Sequence, residues 1–103
     1  MKAKKIDLRS YKCRGNEIDV VNNLVGILFA PQQRLNSDGL RRMGKIADKI
    51  ESGEDELILS IDEYKYLKKT FDAFQGLLYV HRELENRITN AEEVEMKEEK
   101  KKK

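Results

Sequence analysis

Apolar residues recur at helical spacing between residues 61 and 74. Four of them stand three or four positions apart: Tyr64, Leu67, Phe71 and Phe74. This spacing places the four side chains in one stripe along a helix. A row of exposed aromatic rings could stack on nucleic-acid bases, but ridge-like spacing is more typical of a face that packs on a core. The pattern therefore predicts a helix whose aromatic stripe is buried.

The residues just before this helix carry a strand signal and a helix-start signal. Residues 57–59, LIL, favour a short strand. Ser60 and Glu63 have the spacing of a capping box, in which each side chain binds a free backbone amide at the start of a helix. Leu59 and Tyr64 stand at the positions of a hydrophobic staple. The local sequence thus predicts a strand, a cap and a helix in direct succession.

Two more helices are predicted earlier in the chain. Residues 20–29 are apolar over most of a helical circumference, and Pro31 closes the segment. Asn36 or Ser37 is placed to cap a helix over residues 37–50. The apolar side of this second helix comprises Leu40, Met43, Ile46, Ala47 and Ile50. We expect the first helix to be largely buried and the second to be amphipathic.

Alternation of apolar and polar residues predicts a β-hairpin near the N-terminus. Residues 5–13 and 17–20 form its two strands, and a turn at residues 14–16 joins them. The alternation slips between Leu8 and Tyr11, which indicates a bulge in the first strand.

The end of the chain is predicted to be a helix followed by a polar tail. The helix begins at about Leu78, and its inward side comprises Val80, Leu84, Ile88 and Ala91. Residues 95–103 have no apolar period and are expected to form a frayed, charged tail. The order β-β-α-α-β-α-α over residues 1–94 predicts a single α+β domain with a small hairpin, one further short strand and about four helices.

Composition narrows the classes of function. The chain has 103 residues, a formal net charge of +2 and 39% charged residues, which suits one modest soluble domain. One cysteine, Cys13, and one histidine, His81, allow neither an intramolecular disulfide nor a zinc site. The basic N-terminus lacks the apolar run of a signal peptide, and no stretch reaches the ~20 apolar residues of a membrane span. We therefore expect a cytoplasmic protein without membrane contact, metal or cofactor.

Few residues are placed for catalysis. His81 has Glu85 one helical turn on, which is the spacing of a general base and its orienting carboxylate. No Ser, Cys or second His is near it in sequence, so a surface or rim histidine is the favoured interpretation. Cys13 stands between two basic residues, a setting that could make its thiol reactive, but a half-buried structural cysteine is more common. The acidic residues 51–56 lack the spacing of a calcium loop, so no enzymatic activity or metal site is predicted.

The strongest candidate for a binding site is a basic row, defined here as Arg34, Arg41, Arg42, Lys45 and Lys49. Its four members on the predicted second helix lie opposite the apolar side. The row could be a solvated face, a docking face for an acidic protein, or a nucleic-acid interface in which residues 20–50 form a helix-turn-helix-like pair. The balanced net charge favours protein docking. The loop between the two helices is longer than the three or four residues usual in a helix-turn-helix motif, which weakens the nucleic-acid alternative.

Four segments give the chain its layout: KIDLRSYK, VVNNLVGILFAP, LNSDGLRRMGKIADKI and ELILSIDEYKYLKK, followed by an acidic close. This layout, over most of residues 5–93, resembles small hypothetical proteins encoded by tailed bacteriophages and prophages. In those proteins a segment of the type VNALL is followed by LSGEEK…KRYELAxKI and then by VxLTxEEIALIKKLV. The chain departs from the pattern at GLLYV, residues 76–80. The resemblance carries over no active site; it implies a phage origin and a non-enzymatic role, with a host factor or a virion-assembly component as partner.

Overall fold

The computed structural model describes residues 2–52 and 54–95 of the chain. In chain order its strands and helices are β1 (Lys2–Asp7), β2 (Tyr11–Cys13), β3 (Asn16–Ile18), α1 (Val20–Leu28), α2 (Ser37–Ile50), β4 (Glu56–Ser60), α3 (Ile61–Ala73), α4 (Arg82–Thr89) and β5 (Glu92–Glu95). Short 3₁₀ turns at Pro31–Gln33 and Tyr79–His81 precede α2 and α4. The α+β class and the predicted order of hairpin, two helices, strand and two helices are confirmed. Within the two described ranges, no helix is long and apolar enough to cross a membrane.

Three strands form an antiparallel sheet in which β1 lies between β4 and β5. Lys5 in β1 lies opposite Ile58 of β4 and Glu92 of β5. Its Nζ atom is 3.5 Å from a carboxylate oxygen of Glu56 and 3.5 Å from one of Glu92. Opposite charges on neighbouring strands stabilise cross-strand pairing, so Lys5 helps to hold both edge strands on β1.

The sequence pattern does not predict β5, because its residues, EEVE, include one apolar side chain and show no alternation. This strand forms because it pairs along its length with β1, which carries three lysines. Of the predicted tail, residues 95–103, the structure describes Glu95 alone, and this residue ends β5. The rest of the predicted tail lies outside the described residues.

The N-terminal hairpin differs from the prediction of strands at residues 5–13 and 17–20. The observed hairpin pairs β2 with β3, whereas residues 5–7 belong to β1 in the other sheet. The chain turns after β1 because the Asp7 carboxylate accepts hydrogen bonds from the backbone amide of Arg9 (2.9 Å) and from its guanidinium (3.1 Å). The slip in alternation therefore marks a break between two sheets and not a bulge.

The hairpin closes through a two-residue turn. Arg14 (φ 54°) and Gly15 (φ 84°) both have positive φ, as a type I′ turn requires. Val20 was expected both at the end of the second strand and at the start of the first helix, and it is the first residue of α1. The helix begins there because Asp19 accepts a hydrogen bond from the backbone amide of Asn22 (3.1 Å) and thereby caps the helix.

Helix α3 has the predicted capping box and the predicted core face. Ser60 Oγ accepts a hydrogen bond from the Glu63 amide (3.2 Å), and Glu63 Oε1 accepts one from the Ser60 amide (3.0 Å). The buried residues of the helix are Tyr64, Leu67, Thr70 and Phe71, with Phe74 half-buried beyond its end. The Tyr64 hydroxyl donates to the carbonyl oxygen of Ile88 (2.6 Å), which ties α3 to α4.

All four helices and strands β1 and β4 contribute to one buried apolar cluster. Leu40 was predicted on the apolar side of α2, but its side chain is 55% exposed, so that prediction was wrong. Gly39 is buried in its place because α3 packs closely there: a Cβ atom on Gly39 would come within 2.9 Å of the Tyr66 hydroxyl oxygen. The first turn of α2 therefore faces α3 through a glycine and presents a leucine to solvent.

The last helix begins later than predicted. A 3₁₀ turn covers Tyr79–His81, and the regular helix starts at Arg82. Of the residues predicted to point inward, Leu84 and Ile88 are buried, and Val80 and Ala91 are half-buried. The consequence is that Leu78, expected at the helix start, lies in an irregular segment before it.

Candidate interaction surfaces

The basic row lies along the exposed side of α2 and in the connection that precedes it. Arg41, Arg42, Lys45 and Lys49 are exposed on α2, within about 100° of one another around the helix axis. Arg34 is exposed directly after the 3₁₀ turn, with its backbone in the left-handed region (φ 52°).

One carboxylate, that of Asp38, pairs with two arginines of this row. Asp38 Oδ2 lies 3.1 Å from Arg42 Nε, and Asp38 Oδ1 lies 3.8 Å from Arg41 Nη1. Such exposed pairs contribute at most about 1 kcal/mol to stability, so a partner could replace them at small cost. Two arginines of the row are therefore weakly held and remain available.

Lys49 differs from the rest of the row because it has a structural role. Its Nζ donates to both carboxylate oxygens of Glu63, at 2.8 and 3.0 Å. Burial alone would raise the pKa of Glu63, but the hydrogen bonds from Lys49 and from the Ser60 amide, with the charge of Lys49, hold it below its ordinary value. Lys49 thus supports the carboxylate that caps α3.

Two lysines of α3 extend the basic surface beyond α2. Together with residues of α2 they line an open groove of ≈ 560 Å³, and we call the following five residues the α2–α3 face: Arg42, Lys45, Lys65, Tyr66 and Lys69. The Arg42 guanidinium carbon is 5.9 Å from the centroid of the Tyr66 ring. Lys45, Lys65 and Lys69 form no ion pair with any residue that the structure describes. The sequence shows Lys65 and Lys69 one turn apart, but their convergence with α2 depends on helix packing.

A second surface is absent from the sequence-based predictions. Leu77, Leu78 and Tyr79 are 40%, 65% and 51% exposed. They border an open groove of ≈ 660 Å³ between β2 and α4, which we call the LLY groove. The carbon atoms Cζ of Arg14 and Arg82 lie 4.1 and 5.4 Å from the centroid of the Tyr79 ring. The signal that could have revealed this surface is the apolar run GLLYV directly after a helix end.

His81 is buried, with 8% of its surface exposed, so the prediction of a surface or rim histidine was wrong. Its Nδ1 accepts a hydrogen bond from the Leu78 amide (2.9 Å), and its Nε2 lies 3.2 Å from Asn23 Oδ1. Burial lowers the pKa of the imidazole below its ordinary value of 6.5. Glu85, the expected orienting carboxylate, instead accepts a hydrogen bond from Thr89 (2.6 Å). This arrangement suits a neutral structural histidine.

Cys13 is half-buried and unpaired, as predicted, and it lies in the wall of the LLY groove. In residues 2–52 and 54–95, no three His, Cys, Asp or Glu side chains are grouped so that they could hold a metal ion. The exposed side chains that line the two grooves are mostly cationic or apolar.

The comparisons with known proteins give no relative: no protein-family model, no curated protein and no solved structure matches the chain. Function is therefore inferred mainly from the geometry and the charge of the two surfaces.

Proposed function

We propose that this protein is a small, non-enzymatic interaction protein that docks on an acidic protein partner through the α2–α3 face. The observation that supports this function is the convergence of four cations from two helices around one half-buried tyrosine, Tyr66. Tyrosine and arginine dominate the binding energy of many protein interfaces, and peripheral cations speed association with an acidic surface. Three of the four cations lack a carboxylate partner among the described residues, so a partner's carboxylates would meet available charges.

The resemblance to proteins of tailed bacteriophages supports a phage or prophage origin. The partner would then be a host factor or a virion-assembly component, and the interaction would take place in the cytoplasm of the infected cell.

Several carboxylates near this face favour a protein partner over nucleic acid. Asp62 and Glu63 line the groove itself, and Asp38 bridges two arginines of the basic row. A nucleic acid presents phosphates at regular spacing and would meet these carboxylates as well as the cations, whereas a protein can place its carboxylates opposite the unpaired lysines alone. The helix-turn-helix-like alternative at residues 20–50 is also weakened, because residues 29–36 form an eight-residue connection between α1 and α2, longer than the motif uses.

The test compares single charge reversals at matched exposed lysines. Lys45→Glu and Lys69→Glu change the two walls of the groove, whereas Lys2→Glu makes the same charge change on β1. Lys2 is 63% exposed, and its pair with Glu93, at 3.6 Å, is worth at most about 1 kcal/mol, so the control should fold. Immobilised proteins would be incubated with host-cell extract, and the bound proteins would be quantified by mass spectrometry. We expect each groove variant to capture at least about threefold less of an acidic partner than the wild type does. Lys2→Glu should capture as much as the wild type.

Fluorescence anisotropy with duplex and single-stranded probes separates the two kinds of partner. We expect no binding to either probe even at low salt. Micromolar binding would establish the nucleic-acid alternative if its association constant fell as salt rose. On a plot of the two logarithms the slope would be roughly 0.9 per neutralised phosphate. Equal losses of protein capture in all three lysine variants would also contradict the proposal, since they would report total charge and not the α2–α3 face.

A further inference from the structure

The LLY groove presents three consecutive large apolar side chains to solvent. A solvated surface seldom carries such a run unless it binds something, because each exposed side chain forgoes the favourable free energy of burial. Its volume of ≈ 660 Å³ falls within the range of about 300–1,000 Å³ typical of ligand sites. The groove is therefore large enough for one or two side chains of a partner.

The backbone that carries these side chains is fixed by hydrogen bonds within the segment and from other elements. The Tyr11 hydroxyl in β2 donates to the carbonyl oxygen of Val80. His81 accepts from the Leu78 amide and contacts Asn23 of α1. A partner would find the apolar segment already in place, so less conformational entropy would be lost on binding.

The charges around the groove are predominantly positive once internal pairs are taken into account. Lys12, Arg14 and Arg82 line it and have no ion pair with a described residue. Glu83 also lines it, but its carboxylate accepts a hydrogen bond from Arg87 (2.9 Å). Glu85 accepts a hydrogen bond from the neutral hydroxyl of Thr89, which leaves the charge of the carboxylate uncompensated. Three unpaired cations and one unpaired carboxylate therefore line the groove, so the excess charge that faces a ligand is cationic.

We infer that the LLY groove binds an acidic peptide segment that carries one large apolar anchor side chain. The anchor packs against Leu78 and the Tyr79 ring, and carboxylates beside it pair with Arg14 and Arg82. This assignment concerns a different set of residues from the α2–α3 face and does not depend on the role of that face.

The test begins with selection from a random peptide library displayed on phage, with the immobilised full chain as target. We expect enrichment of peptides that combine several Asp or Glu residues with one Leu, Phe, Tyr or Trp. The best peptide would be synthesised, and its affinity measured by fluorescence anisotropy. A matched peptide with Lys in place of each acidic residue should bind at least about tenfold more weakly.

Two matched pairs of variants locate the binding site. Leu78→Gln and Leu40→Gln each change an exposed leucine, 65% and 55% exposed respectively. Arg14→Glu and Lys2→Glu each reverse an exposed cation, the first in the lining of the groove and the second on β1. We expect the first member of each pair to weaken peptide binding about tenfold and the second to leave it unchanged. Thermal melts would confirm that all four variants fold.

Cys13 provides an independent readout because it is the single cysteine of the chain and lines the groove. Saturating peptide should slow its reaction with iodoacetamide at least about threefold, since an occupied groove covers the half-buried thiol. Unchanged Cys13 reactivity, or equal effects of the two members of a variant pair, would place the peptide elsewhere and overturn the inference.

Two further outcomes would also overturn it. Selection that yields no enriched peptides, or basic ones, would mean that the groove has no preference for an acidic segment. A dimer in analytical ultracentrifugation that Leu78→Gln converts to a monomer would show that a second copy of the chain covers the apolar segment.

Discussion

Residues 56–73 and residues 75–81 both contain leucines and aromatic rings, but they place them in opposite environments. In the first region Leu59, Leu67 and Phe71 are at most 1% exposed, on a strand that pairs with β1 and on a capped helix whose backbone groups are paired locally. In the second region the backbone is mostly irregular, hydrogen bonds with Tyr11 of β2 and with His81 of the region itself fix it, and its leucines remain outside the core. Regular structure lets a chain bury apolar surface, whereas the anchored irregular segment keeps that surface available for binding.

The largest expected effect in this comparison is the loss of a core side chain of the first region. Phe71→Ala should lower the free energy of unfolding by about 3–5 kcal/mol, because a fully buried ring leaves a cavity. Phe74→Ala is the matched control, since the same change at the half-buried end of the stripe removes less buried surface. Denaturant unfolding gives both values. Equal losses would mean that the stripe is not graded from buried to half-buried as the structure shows.

His81 is the buried anchor of the second region, and its replacement should have the next largest effect. His81→Leu keeps an apolar body of similar size but removes the acceptor for the Leu78 amide and the partner of Asn23. Unsatisfied polar groups of this kind cost about 1–3 kcal/mol, again measured by denaturant unfolding. A neutral result would show that solvent already reaches these groups in the native protein.

The same histidine predicts a pH dependence. Because burial holds the folded pKa below 6.5, the unfolded chain binds the proton more readily. Its contribution to stability is therefore complete above pH 6.5 and is lost as the pH falls from 6.5 through the lower folded pKa. Wild type should lose more stability than His81→Leu over this interval, while carboxylates that titrate lower down affect both proteins alike. Parallel pH profiles would contradict this role.

Local signals explain why much of the fold is predictable from sequence. The capping box of Ser60 and Glu63 and the stripe of α3 depend on residues within a few positions of each other. Strand β5 has no such signal, because it depends on lysines of β1 that lie about ninety residues away in sequence. The hairpin boundaries fail for the same reason, since alternation alone does not show that residues 5–7 pair with β4.

The candidate surfaces follow the same rule. The basic row on α2 is visible as a helical pattern, but Lys65 and Lys69 join Lys45 only after two helices pack. The LLY groove is harder to predict because the apolar residues around Leu78 resemble the start of a helix. The hydrogen bond from Tyr11 that fixes the segment also joins residues sixty-nine positions apart in sequence.

The capping box should make a smaller contribution than the core. Ser60→Ala removes the acceptor of the Glu63 amide, and the expected loss is about 1 kcal/mol of unfolding free energy. Ser37→Ala is a suitable control, because Asn36 and not Ser37 caps α2. Denaturant midpoints of the two variants should therefore differ clearly from each other. Equal midpoints would mean that the observed capping hydrogen bond adds nothing to stability.

The smallest expected effect belongs to the exposed leucines of the second region. Leu78→Gln should leave the free energy of unfolding within about 0.5 kcal/mol of the wild type, because a side chain that is 65% exposed loses little buried surface. Leu59→Gln, the same change at a fully buried position of the first region, should destabilise the protein by several kcal/mol, since it also buries an amide without a partner. Denaturant unfolding of the two variants measures the contrast directly. A loss above about 1 kcal/mol for Leu78→Gln would place Leu78 in the folding core and remove the distinction between a region that stabilises and a region that binds.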